Sequence, residues 1–114
     1  MATTVQPTMD IIHTDTITSA NSVTITMPGG ANAWYITSIQ AVGDGTTELA
    51  VADTTPTTFL NATAVPAAGL TAVSAAPDTS VAGTVTLTAS GGGTGVTFVK
   101  LVISSDNGVP LAVS

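Results

Sequence analysis

From Thr84 to Ala89 the chain alternates strictly: Thr84, Thr86 and Thr88 are interleaved with Val85, Leu87 and Ala89. The same two-residue period runs from Ser22 to Met27, with Val23, Ile25 and Met27 on one side and Ser22, Thr24 and Thr26 on the other. Successive side chains of a strand point to opposite faces, so this period calls for half-buried β-strands. Threonine accounts for 23 of the 114 residues. Its β-branched side chain suits the pleated surface such strands create.

Gly and Pro cut the alternating segments apart. Ile11 to Thr18 is rich in β-branched residues, and Ser19-Ala20-Asn21 reads as a turn, so a hairpin with Ser22–Met27 is expected before Pro28-Gly29-Gly30 ends it. Trp34 to Val42 is a third strand, closed by Gly43-Asp44-Gly45, where Asp-Gly suits a tight turn with positive φ. Thr47–Ala52 and Thr57–Thr63 follow, separated by Pro56. Gly69 to Ala76 fits a short helix or a loop with a short strand equally well. Gly91 to Gly95 connects the Thr84 strand to a final one from Val96 to Ser104. There Thr97, Val99, Leu101 and Ile103 share one face, and Val96, Phe98, Lys100 and Val102 share the other. Asn107-Gly108-Val109-Pro110 turns the chain into a short tail.

Six to eight short antiparallel strands predict an all-β fold, a single-domain sandwich or jelly-roll-like barrel. The expected domain is 10–114, preceded by an extended N-terminal arm, 1–9, that contains Pro7 and lacks periodicity. A chain of this length buries about two-thirds of its unfolded surface and needs no disulfide or metal staple. It has no Cys to make one. The opening residues carry neither a basic nor an apolar leader region, so the expectation is a soluble protein made in the cytoplasm.

Lys100 is the single basic residue, and the net charge is −6. Nucleic-acid backbones and anionic membranes are gripped by Lys and Arg clusters, so neither is an expected partner. Charged residues make up only 7% of the chain, against about 25% in ordinary domains. A monomer has little from which to build a charged coat, so some apolar positions are expected to face another protein. The apolar second face of the last strand places that subunit contact at Val96, Phe98 and Val102.

Reactive chemistry finds few candidates. His13 lies near Asp10 and Asp15, but a divalent site needs three or four ligands, and there is no second His and no Cys. Nothing surrounds a serine with the strand–turn–helix context of a nucleophile elbow. Asp44, Glu48 and Asp53 form the densest acidic cluster, yet the spacing of a calcium loop is absent and turn chemistry explains Asp44-Gly45. The Gly91–Gly95 run lacks the ending of a phosphate loop. These absences argue against an enzyme, and no metal or other cofactor is expected. Trp34 and Tyr35, being adjacent, point to opposite faces; either one packs inside and leaves the other for an interface or a sugar, or both are partly buried within the one domain.

A small, all-β, Cys-free acidic chain with an N-terminal arm resembles the cement or decoration proteins of tailed-bacteriophage capsids. Asp44-Gly45-Thr46-Thr47 followed by Leu49-Ala50-Val51-Ala52-Asp53 is similar to the Asp-Gly-Thr-Thr segment of lambda-type head decoration proteins. The resemblance implies a virion protein that sits on the capsid exterior as a homotrimer and bridges major capsid subunits. In that setting the arm residues Ala2, Thr3, Thr4, Val5, Gln6 and Pro7 are expected to add as an extended strand to a neighbour's sheet edge. The competing reading is a carbohydrate-binding or adhesion module, a tail-fibre or surface-layer piece, that uses Trp34 or Tyr35 as a stacking platform and the Asp44 loop for an ion.

Overall fold

The computed structural model describes residues 3–5, 8–27, 33–106 and 111–113, and no helix occurs among them. The strands are β1 (Thr3–Val5), β2 (Thr8–His13), β3 (Ser22–Thr26), β4 (Ala33–Val42), β5 (Glu48–Asp53), β6 (Thr58–Ala64), β7 (Leu70–Val73), β8 (Thr84–Ser90), β9 (Phe98–Asp106) and β10 (Leu111–Val113). One four-stranded sheet has the order β2-β9-β4-β7, a second has β3-β8-β5-β6, and β1 pairs with β10 alone. Every pairing is antiparallel.

A single rule generates this order. β1 pairs with β10, β2 with β9, β3 with β8, β4 with β7 and β5 with β6, so each pair encloses the next. The chain therefore doubles back once, at the β5–β6 connection, into one long two-stranded ribbon. Rolling that ribbon up sets β9 beside β4 and β8 beside β5, which closes both sheets. The eight central strands have the order of a jelly roll. The expected all-β sandwich is the fold.

The alternation sets which faces meet. Ile39, Leu101 and Ile103 from the first sheet and Leu49, Val51 and Leu87 from the second are fully buried in one core. β8 is the clearest case: Val85, Leu87 and Ala89 are buried while Thr88 and Ser90 stay exposed. In β4 a bulge between Ile36 and Ser38 inserts Thr37, whose hydroxyl donates to the Val102 carbonyl at 3.0 Å. The bulge lets both Ile36 and Ile39 reach the core.

Nested pairing overturns one expectation outright. The hairpin joining 11–18 to Ser22–Met27 does not form, because β2 and β3 lie in different sheets. The turn itself is present: the Asn21 side chain accepts from the Thr18 amide at 2.7 Å, and the Asn21 amide donates to the Thr18 carbonyl at 3.1 Å. It carries the chain from one sheet to the other. Between Ala62 and Pro77 the short strand, β7, forms rather than the helix.

The expected arm also changes character. Thr8 and Met9 open β2, paired with Ser104 and Ile103, and Thr3–Val5 pairs with the C-terminal tail through Thr3↔Val113, Thr4↔Ala112 and Val5↔Leu111. β1 and β10 hardly contact any other strand. The molecule is accordingly long, 51 × 27 × 21 Å, with a radius of gyration of 14.9 Å against about 13 Å for a compact chain of this size.

Truncating Leu101 to Ala should cost about 3 kcal/mol, the usual result of opening a cavity in a sealed core. Thr24→Ala, on an exposed face, should stay within about 0.5 kcal/mol. Urea unfolding of both variants measures the contrast.

Candidate functional site

Two aspartates hold the loops at opposite ends of the sandwich. At one end Asp44, after β4, accepts through Oδ1 from the amides of Thr46 (2.9 Å) and Thr47 (2.7 Å). Its Oδ2 accepts from the Thr47 hydroxyl (2.9 Å), the Thr94 hydroxyl (3.1 Å) and the Gly95 amide (3.1 Å). The β4–β5 and β8–β9 loops are thereby tied together. The Thr47 and Thr46 amides do most to hold this carboxyl well below the usual carboxylate range, helped by Gly95 and the Thr47 hydroxyl. A side chain at position 93 would run into the same carboxylate, and Gly95 has φ +120, where a side chain would also meet the Ile17 carbonyl. Glycine is required at both positions.

At the other end Asp53, only 6% exposed, accepts from the amides of Thr55 (2.9 Å), Thr57 (2.7 Å) and Ala82 (3.0 Å). Burial alone would raise its pKa, but the Ala82, Thr57 and Thr55 donors outweigh that and lower it. Asp44 and Asp53 are thus separated by the length of β5, about 20 Å at 3.3 Å per residue. Glu48 is half-buried at the start of that strand. The acidic cluster of the sequence is dispersed in space. Each aspartate accepts from three backbone amides, whose N–H groups cannot coordinate a cation, and no three His, Asp or Glu converge among the described residues.

His13 ends β2 on the row of Ile11, paired with Val99, so it turns away from Asp10. Asp15 lies beyond the strand, in an exposed loop. The His13 Nε2 is buried without a hydrogen-bond partner. Trp34 packs against the core, and Tyr35 is half-buried on the opposite side of β4.

The surface that stands out is the outer face of the β2-β9-β4-β7 sheet. The register lays Asp10, Val102, Ser38 and Val73 across it in one row, and Ile12, Lys100, Gln40 and Thr71 in the next. Ile12 is 58% exposed and Val73 79%, at the two edges of the sheet. Lys100 and Asp10 pair at 3.4 Å and are the only charges among the side chains described on this face. An ion pair this exposed contributes less than about 1 kcal/mol, so its effect is to leave the described side chains of this face without net charge. A groove of about 250 Å³ opens where β7 begins, beside Phe98, Val42, Gln40 and Thr71.

Of the expected subunit-contact residues, Phe98 and Val102 lie half-buried on this face. Val96 does not. It is fully buried, exchanging backbone hydrogen bonds of 2.8 Å each way with Ile17. The reason is that β9 starts at Phe98 and the bridge to Ile17 breaks the two-residue period, turning Val96 inward and exposing Thr97. Sequence reasoning missed Ile12 and Val73, because each sits in a segment whose partner strand is distant in sequence. Of the arm residues, Thr3, Thr4 and Val5 form β1, while Ala2, Gln6 and Pro7 lie outside the described residues.

Set against protein-family models, curated proteins and solved structures, the chain matches none.

Replacing Asp53 by Ala leaves three amides facing an empty site and should cost on the order of 3 kcal/mol. Both latching carboxyls have lowered folded-state pKa values, so their stabilisation is complete above about pH 4, the unfolded value, and is lost as the pH falls toward the folded values. Thermal unfolding followed from pH 7 to pH 2 should show a flat midpoint down to about pH 4 and a fall below it. Asp53→Ala should lower the neutral plateau and shrink that fall.

Proposed function

We propose that this is a non-enzymatic structural protein of a virion, bound as an oligomer to the outer face of a phage capsid, where it bridges major capsid subunits and stabilises the shell. The observation that carries the reading is the outer face of the β2-β9-β4-β7 sheet, without net charge among its described side chains and with Ile12 and Val73 exposed at its edges. Exposed apolar surface on a chain with so few charges marks a protein contact. Jelly rolls serve in viral capsids as well as lectins, so the fold is compatible with this role without selecting it.

The titratable groups support the same conclusion. Asp44 and Asp53, the carboxylates with shifted pKa values, are consumed in tying loops together and are not arranged around a cleft. Many weak contacts repeated over symmetric copies then supply the holding strength, with no reactive group involved. The β1–β10 ribbon is the element offered to the shell, since its outer backbone edges can accept a further strand. The carbohydrate-binding alternative has less behind it, because Trp34 packs against the core and the Asp44 carboxylate is fully engaged.

Purified protein should co-sediment with mature heads of the phage that encodes it. Deleting residues 1–7 removes β1 and should abolish that binding while leaving the sandwich's unfolding midpoint unchanged. Failure of the intact protein to bind heads would reject the capsid role; full binding by the truncated form would reject the ribbon's part in it.

A further inference from the structure

We infer that the outer face of the β2-β9-β4-β7 sheet pairs with the same face of a second copy, about a two-fold axis lying between the sheets and parallel to the strands. The inference names the partner and geometry of the oligomer in the reading above, and rests on that reading only for its purpose. Its physical basis is separate.

Charge selects the occupant. The chain is net −6, and two copies repel wherever their acidic residues approach. On this face the sole lysine of the sequence cancels Asp10. Among its described side chains this face carries no net charge, so two identical molecules can meet here without opposing their acidic residues.

Register supplies the fit. Rotation about a strand-parallel axis places the partner's β2 edge over this copy's β7 edge, at the same height along the strands. Ile12 of one copy then lies over Thr71 of the other, at the mouth of the groove beside Phe98. Asp10 faces Val73, Val102 faces Ser38 and Lys100 faces Gln40, so no like charges are opposed among the described side chains. At about 250 Å³ the groove falls below the range of roughly 300–1,000 Å³ typical of small-molecule sites and is sized for a side chain. An exposed isoleucine and a groove on one surface, exchanged by a two-fold axis, form a self-complementary contact. Sheets packed in this way are aligned to within about 30°.

The area sets the strength. Four strands about 4.8 Å apart, over about seven residues at 3.3 Å, cover about 400 Å². A standard interface uses about 800 Å² per partner, so the dimer is reversible and concentration-dependent in solution. The same axis leaves both β1–β10 ribbons at one end of the dimer, where two weak attachments to a common surface reinforce each other. The arrangement predicts two copies, where the resemblance to decoration proteins implies three.

Sedimentation equilibrium of the full chain, from about 1 µM to about 1 mM, tests it over the affinity range such an interface covers. The expected mass rises from 11.1 kDa toward twice that value. Ile12→Asp and Val73→Asp, at exposed positions, should each fold and weaken association on the order of a hundredfold, because a two-fold contact loses the side chain twice. Thr24→Asp on the other sheet should change nothing. The chain has no native Cys, so an Ile12→Cys/Thr71→Cys double variant should be joined into a covalent dimer by a short bismaleimide. A monomer at about 1 mM, a trimer, or Ile12→Asp and Val73→Asp variants that associate like wild type would overturn the proposal. So would a double variant that fails to crosslink. Loss of head binding with the dimer intact would instead count against the shell role alone.

Discussion

The ladder between β4 and β9 is the pairing on which the rest of the molecule depends. It runs the length of both strands, from Ala33↔Asp106 to Val42↔Phe98, and joins the outer part of the doubled-back chain to its inner part. Without it, β2–β9 and β4–β7 would be two separate ribbons, each with one greasy side and nothing to cover it. With it, they form a sheet broad enough to seal a core against the β3-β8-β5-β6 sheet. Only β5–β6 is a pairing between consecutive strands. Every other ladder closes a long loop, which is entropically slow to form and leaves the order of assembly to long-range contacts.

The two aspartates complete what the ladders leave loose. A jelly roll gathers its connections at its two ends, where backbone amides have no strand partner. At each end one carboxylate collects them: Asp44 takes three amides and two hydroxyls, and Asp53 takes three amides. The same residues that suggested an ion site in the sequence thus act as internal anchors. A chain with seven acidic residues and one lysine has few salt bridges available, so charge-assisted bonds to backbone are the strong polar interactions open to it.

Much of the architecture was legible in the chain. The Thr84–Ala89 and Ser22–Met27 alternations located β8 and β3 and assigned their inner faces, and the Val99–Ile103 pattern did the same for β9. Asp-Gly at 44–45 marked a real turn, with Gly45 at φ +84. What the chain could not show was which strand lies beside which, because a two-residue period carries no address for its partner. That gap explains the false hairpin at 18–21 and the wrong side assigned to Val96, whereas the acidic cluster is dispersed simply because β5 runs extended between Asp44 and Asp53. The gap also explains the missed edge residues Ile12 and Val73: that an outward residue sits at an exposed sheet edge is known only once the strand order is. Phe98 and Val102 could be placed on the outward face from the sequence because β9 is central and greasy on both sides by itself.

The ribbon has a mechanical corollary. Its two strands run antiparallel, and residues 3 and 113 are paired partners at its outer tip. Tension applied through those positions would peel the rungs one after another, as a zipper opens, instead of loading them together. A ribbon laid out in this way yields readily to a pull that separates its two tips and holds better under a load spread along its edges, where its three paired rungs share it.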